Sequence, residues 1–96
     1  MRTEWIKVRS DLIDRADIRL LDAADRWNYV ALLCCKAQGV LDDPGDLMMR
    51  KIAVKLELDL HEVEEALARL VWAGLVQEDT YHPIDPIEQT SGEGAQ

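Results

Sequence analysis

Residues 46–75 constrain the fold most, because their sequence predicts two amphipathic helices joined by a very short connection. The second helix repeats its apolar residues at the three-and-four spacing that places them on one side of a helix. Asp59 and Glu62 have the spacing of a capping box, and Gly74 stands where a left-handed C-terminal residue is favoured, which predicts a helix over about 60–73. Its apolar stripe consists of Leu60, Val63, Leu67, Leu70 and Val71.

The first helix of the pair is predicted to follow the turn at residues 43–45, with Asp46 as its N-cap. Only residues 57–59 separate the two periodic runs, and so short a connection predicts a helix-turn-helix. The inner face of this first helix should consist of Met48, Met49, Ile52, Ala53 and Leu56.

The segments before this pair predict a third, central helix that Asp22 caps and Gly39 closes. A very short strand is expected at residues 40–41. Trp5, near the start of a short extended run, should pack against the body of the domain. The apolar side of the central helix is predicted to include Trp27, Val30, Ala31, Leu33 and Cys34.

Residues 75–78 and 81–84 flank a two-residue break and look like a small hairpin, with Pro83 confined to an edge. The chain therefore predicts a mainly α winged helix-turn-helix domain over residues 1–87, with a three-helix core, an N-terminal segment and a short β-hairpin wing. Residues 88–96 have no apolar period and are expected to be a disordered tail or a truncated linker.

Composition limits the class of protein. Ninety-six residues, 48% of them apolar, suit one small domain. Charges interrupt every long apolar stretch and the N-terminus lacks a signal-peptide core, so we expect a cytoplasmic chain without a membrane segment. Cys34 and Cys35 are adjacent within a helical pattern and cannot easily bridge, which favours reduced core residues.

The resemblance that these residues suggest is to the N-terminal winged-helix domain of phage replication-initiator and DnaD-like replisome-organiser proteins. It rests on WIKVRSDLID from Trp5, on a leucine-rich helix ending near AQGVL, and on KIAVKLELDLHEVEEALARLVWAGLVQED from Lys51. The resemblance implies a domain that recognises or organises origin DNA, often as a homo-oligomer, and recruits helicase-loading proteins. It also implies that the helix from Leu60 is the one aimed at the major groove.

The charge distribution departs from that expectation. The net charge is −8, and residues 59–79 carry six acidic side chains against the single cation Arg69. Carboxylates near phosphates are repelled, and Glu reads bases only through cytosine amino groups. The remaining cations could form a sequence-blind phosphate patch, or could simply solubilise their surfaces. They are Arg50, Lys51 and Lys55, with Arg2, Lys7, Arg9, Arg15 and Arg19 near the N-terminus.

Trp72 is predicted to face outwards, because it lies about 140° from Leu67 on a helical wheel. His61, Glu65 and Ala68 fall on the same outer side. An aromatic side chain beside a small residue is typical of an interface anchor, so this face is expected to bind a second copy or another protein. The alternative is that the N-terminal segment folds over Trp72 and makes it a core residue.

Nothing in the sequence predicts catalysis, a cofactor or a metal. No glycine-rich phosphate loop, paired CxxC motif or nucleophile elbow is present, and Glu65 stands where a zinc helix beginning at His61 would need its second histidine. The favoured function is a phage-type module in a DNA-replication or regulatory assembly that acts chiefly through protein contacts. Direct DNA binding is the alternative, and an acidic DNA mimic that inhibits a nucleic-acid-binding protein is a second one.

Overall fold

Three helices packed on one another carry the core of the protein. The structure is a computed structural model that describes residues 5–84. The predicted domain end at residue 87, the predicted tail at 88–96 and Arg2 lie outside that range. The described chain contains helices α1 (Ala16–Arg19), α2 (Ala23–Ala37), α3 (Gly45–Leu56) and α4 (Leu60–Trp72), with 3-10 turns at Ser10–Asp14 and Val40–Asp42.

Most of the predicted helix ends are confirmed. The Asp22 side chain accepts a hydrogen bond from the Asp25 backbone N–H at the start of α2. The predicted capping box at the start of α4 forms with both of its hydrogen bonds, 2.8 and 3.0 Å long. Gly39 and Gly74 both adopt the positive φ that favours glycine after a helix.

The prediction that Asp46 caps α3 is wrong. The helix begins at Gly45, two residues earlier than a cap at Asp46 implies, and its N-cap residue is Pro44, which supplies no side-chain cap. The Pro44 carbonyl accepts the first helical hydrogen bond from Met48 N–H, at 2.7 Å. Asp46 therefore lies inside the first turn, where its negative charge interacts favourably with the positive end of the helix dipole.

The core face of α2 differs from the predicted one. Tyr29, Leu32 and Cys35 are buried, whereas Trp27 is 64% exposed and Cys34 is also exposed. Leu33 is buried as predicted and the partly buried Ala31 packs against the core, so the prediction is wrong for Trp27 and Cys34 but not for the whole stripe. The strand expected at residues 40–41 is also wrong: Val40 and Leu41 are buried in a 3-10 turn that follows the left-handed Gly39.

The connection between α3 and α4 is as short as predicted. Glu57 closes α3 in the left-handed conformation, with φ of 58°, and Leu58 N–H donates back to the Ala53 carbonyl at 3.0 Å. Asp59 then caps α4. Because the reversal needs only three residues, the start of α4 stays next to the end of α3.

Residues 75–84 double back on themselves but form no strand in the described chain. One antiparallel bridge joins Val76 to Pro83, and Gln77 N–H donates to the His82 carbonyl at 2.9 Å. Pro83 has no N–H to offer, and Tyr81 is in a left-handed conformation with φ of 60°, so a regular ladder cannot continue. The predicted two-stranded hairpin is therefore reduced to a single bridge.

Candidate interaction surfaces

The exposed side of α4 is the first candidate surface. Its buried residues are Val63, Ala66, Leu67 and Leu70. At 100° per residue their mean direction lies about 50° from Leu67, almost opposite to Trp72. The Trp72 side chain is accordingly 78% exposed. We call the exposed residues along this side of α4 the tryptophan face: His61, Glu64, Glu65, Ala68 and Trp72.

No described residue covers Trp72, so the alternative in which the N-terminal segment packs over it is wrong for residues 5–84. His61 Nε2 lies 3.3 Å from Glu65 Oε2 one turn along the helix, and both side chains are exposed. Within the described range Glu64 forms no ion pair. The face therefore combines a large aromatic ring, a small neighbour and negative charge.

Arg69, the only Lys or Arg of α4, does not contribute its charge freely to this surface. Its Nε donates to Asp25 Oδ2 at 2.5 Å and its Nη2 donates to Asp25 Oδ1 at 3.1 Å. Asp25 is only 2% exposed, and Asn28 Nδ2 donates to it as well, at 3.2 Å. The ion pair therefore ties the end of α4 to the start of α2.

The contact between Arg69 and Asp25 shifts the pKa of both groups. The Arg69 hydrogen bond is the main cause that lowers the pKa of the Asp25 carboxyl; burial opposes it and the Asn28 hydrogen bond adds to it. The carboxylate in turn raises the pKa of Arg69. Arg69 was a candidate DNA contact, and the structure engages its guanidinium with a buried carboxylate of its own chain.

A second surface is a cleft of about 520 Å³ between α3 and the end of α2. Arg50, Lys51 and Lys55, the other candidate DNA contacts, all line it. Lys51 Nζ pairs with Asp43 at 2.8 Å, whereas Arg50 and Lys55 have no ion pair within residues 5–84. Val54 contributes an exposed apolar side chain and Gly39 a backbone without a side chain. We call these residues the basic cleft: Gly39, Arg50, Lys51, Val54 and Lys55.

Two of the four N-terminal cations in residues 5–84 are paired with neighbouring carboxylates. Arg9 pairs with Asp11 at 2.9 Å and Arg15 pairs with Asp17 at 2.5 Å. The ring of Trp5 is exposed, with Lys7 Nζ 5.9 Å from its centroid, so the prediction that this ring packs against the body is wrong.

An apolar cleft of about 300 Å³ lies beside the exposed Trp27 ring. Leu12 and Ile13 of the first 3-10 turn form one wall, and Tyr29 and Val30 of α2 form another. The sequence predicted none of this cleft, because it had assigned Trp27 to the core.

Comparison of the chain with known protein families, with curated proteins and with solved structures gives no match. Within the described residues, no group of three or more His, Cys, Asp or Glu side chains is placed to hold a metal ion. None of the helices over residues 5–84 has the length and apolar character needed to cross a membrane.

Asp25, Val54 and Gly39 are parts of these surfaces that the sequence did not reveal. Asp25 stands three residues after the Asp22 cap, where a carboxylate suits the start of a helix, so its position does not distinguish an ion-pair role from a capping role. Its partner Arg69 lies 44 residues away along the chain, and a contact over such a separation cannot be inferred from a local sequence pattern.

Proposed function

We propose that this chain is a protein-interaction module of winged helix-turn-helix type that acts through the tryptophan face of α4. The observation that carries the proposal is the 78% exposure of Trp72 on a helix whose only cation is held by Asp25. Exposed tryptophan is enriched at the centres of protein interfaces, where it supplies a large part of the binding energy.

The charges of the same helix argue against groove binding. A helix that enters the major groove usually presents Arg or Lys to bases and phosphates. On α4, Arg69 is engaged with Asp25 while Glu64 and Glu65 point outwards. The surface that complements such a face is cationic with an apolar centre, so we expect a basic, partly apolar protein surface as the partner.

The proposed setting is a phage-type DNA-replication or regulatory assembly. The resemblance described above supports it, together with the three-residue connection between α3 and α4. The bridge between Val76 and Pro83 supports the winged form of the fold, since it follows α4 where a wing is expected.

Tryptophan fluorescence tests the proposal directly. In a chain carrying Trp5→Phe and Trp27→Phe, two changes at exposed positions, Trp72 is the sole tryptophan. At about 0.01 M ionic strength, where the screening length is about 30 Å, an amphipathic Lys/Leu peptide should shift the Trp72 emission. Duplex DNA should leave it unchanged.

Matched charge removals locate the contact. Glu64→Gln with Glu65→Gln should weaken the peptide at least about tenfold, which corresponds to about 1.4 kcal/mol. Glu78→Gln with Asp79→Gln removes the same charge from the exposed turn and should leave the affinity unchanged. Equal losses in both variants would show that net charge, not this face, drives binding, and would refute the proposal.

Direct DNA binding is the second candidate function, because the basic cleft gathers three cations around one opening. It predicts a gel shift that weakens steeply with salt and disappears when Lys51 and Lys55 are changed to Glu. Absence of any shift at low salt would remove this candidate.

A further inference from the structure

The tryptophan face and the basic cleft carry opposite charges. Glu64 and Glu65 are exposed on the first, while Arg50 and Lys55 line the second without an ion pair among residues 5–84. The contrast stands out in a chain whose net charge is −8. The tryptophan face therefore presents negative charge and the basic cleft presents positive charge.

Trp72 cannot reach the basic cleft of its own molecule. Arg69, one turn before Trp72, contacts Asp25 at the start of α2, whereas the cleft adjoins Gly39 after the end of α2. The helix from Asp25 to its end covers about 20 Å at 1.5 Å per residue. The Trp72 end of α4 and the basic cleft thus lie at opposite ends of α2.

The apolar parts of the two surfaces also match. Val54 is 76% exposed at the cleft, and the space above Gly39 holds no atom within 4 Å of where a side chain would begin. A tryptophan ring placed there would cover Val54 and lie close to a guanidinium or ammonium group. Contacts of that kind between a cation and an aromatic face are favourable.

We infer that the tryptophan face of one molecule docks into the basic cleft of a second copy, in a head-to-tail contact. This inference rests on the proposed function, since it names the partner of the same face. A contact between the tryptophan faces of two copies would set Glu64 and Glu65 against the same residues of the other copy, and like charges repel. A head-to-tail contact is heterologous, so it leaves one face and one cleft open at the ends of each pair and extends into a chain or a ring.

Charge reversal tests the pairing. Glu64→Lys with Glu65→Lys makes both surfaces positive, and Arg50→Glu with Lys55→Glu makes both negative; all four positions are exposed. Each variant alone should be monomeric by sedimentation equilibrium. An equimolar mixture should associate, because each surface then finds its opposite on the other variant.

Net charge does not produce this result by itself. The two variants carry about −4 and −12, since every reversal moves the charge of −8 by two. Both remain acidic, so unspecific electrostatics predicts repulsion in the mixture. Reversals at Glu78 with Asp79, and at Lys7 with Arg19, change the net charge equally at other exposed positions and should leave wild-type association intact.

The wild-type chain should associate at about 0.01 M salt and dissociate at about 1 M, where screening shortens to about 3 Å. Trp72→Ala should weaken association at least about tenfold. A mixture of the two reversed variants that stays monomeric would overturn the inference, as would a dimer that survives either reversal. If the Lys/Leu peptide still shifts Trp72 emission in that case, the proposed function stands and only the second copy is wrong.

Discussion

Replacing Arg69 by Met should destabilise the protein by about 2 kcal/mol, because it leaves a buried carboxylate without its cation. Methionine keeps most of the aliphatic stem, so the change removes the charge and little packing. Asp25 is 2% exposed and accepts both Arg69 hydrogen bonds, so the substitution leaves its buried carboxylate without these two donors.

The magnitude follows from three features of the pair. Removing one partner of a buried ion pair costs about 3–5 kcal/mol. Arg69 is 53% exposed, so water can replace part of its interaction, and Asn28 still donates to the carboxylate. Hydrogen bonds to charged groups contribute about 1.5–3 kcal/mol, which supports a cost of about 2 kcal/mol rather than about 3–5 kcal/mol. For a domain of this size 2 kcal/mol lowers the melting temperature by about 10 °C.

Urea unfolding at neutral pH measures the effect, with Lys51→Met as the matched control. That change removes the Lys51–Asp43 pair, whose carboxylate is more exposed than that of Asp25, and should cost under about 1 kcal/mol. Adding Asp25→Asn to Arg69→Met should restore part of the stability, since no uncompensated charge then remains. Equal stability of the two single variants would refute the reasoning.

The pH dependence supplies a second check with a fixed sign. In the native protein the pKa of Asp25 lies below its ordinary value of 3.8. The contribution of Asp25 to the free energy of unfolding is therefore complete well above pH 3.8 and is lost as the pH falls through the lowered pKa. In Arg69→Met burial outweighs the remaining Asn28 hydrogen bond and raises the pKa of Asp25, so protonation relieves the variant. The stability difference between the two proteins should be largest at neutral pH, begin to shrink as the pH falls through the raised pKa of the variant, and shrink further below pH 3.8.

Three further predictions follow from burial and capping. Trp72→Ala should leave the melting temperature nearly unchanged by calorimetry, whereas Leu67→Ala, at a buried position, should cost about 2–5 kcal/mol; a comparable loss for Trp72 would mark it as a core residue. Asp59→Ala should cost about 0.5–2 kcal/mol in urea unfolding, since it removes the capping box, and no loss would mean that the cap does not form in solution. In the native protein a maleimide should label Cys34 and spare Cys35, because Cys35 is buried and burial raises the pKa of its thiol; mass spectrometry that finds both labelled would contradict the packing of α2.

The parts of the fold that the sequence predicted are those encoded locally. The capping box at Asp59 and the left-handed residues Gly39 and Gly74 depend on neighbours within a few positions, and all are confirmed. The outward direction of Trp72 followed from helical spacing, because α4 has a well-separated apolar stripe.

The features that the sequence missed depend on packing between distant segments. On α2 nearly every face offers apolar residues, so periodicity could not choose between Trp27 and Tyr29 as the buried aromatic. The reduction of the expected hairpin to one bridge has a local cause instead, since Tyr81 adopts a left-handed conformation that its residue type does not favour. The engagement of Arg69 with Asp25 required the relative placement of α2 and α4, which no local pattern contains.

The capping box has a consequence for how this chain tolerates changes in length. Asp59 and Glu62 fix the rotational phase of α4 at its first turn, directly after the three-residue connection. One residue inserted between Glu62 and Arg69 would rotate the rest of the helix by about 100°, carrying the indole towards the flank and the Arg69 guanidinium away from its carboxylate. An insertion near Asp79, on the exposed turn, shifts no helix. Sequence variants of this domain should therefore accept insertions after α4 and exclude them within it.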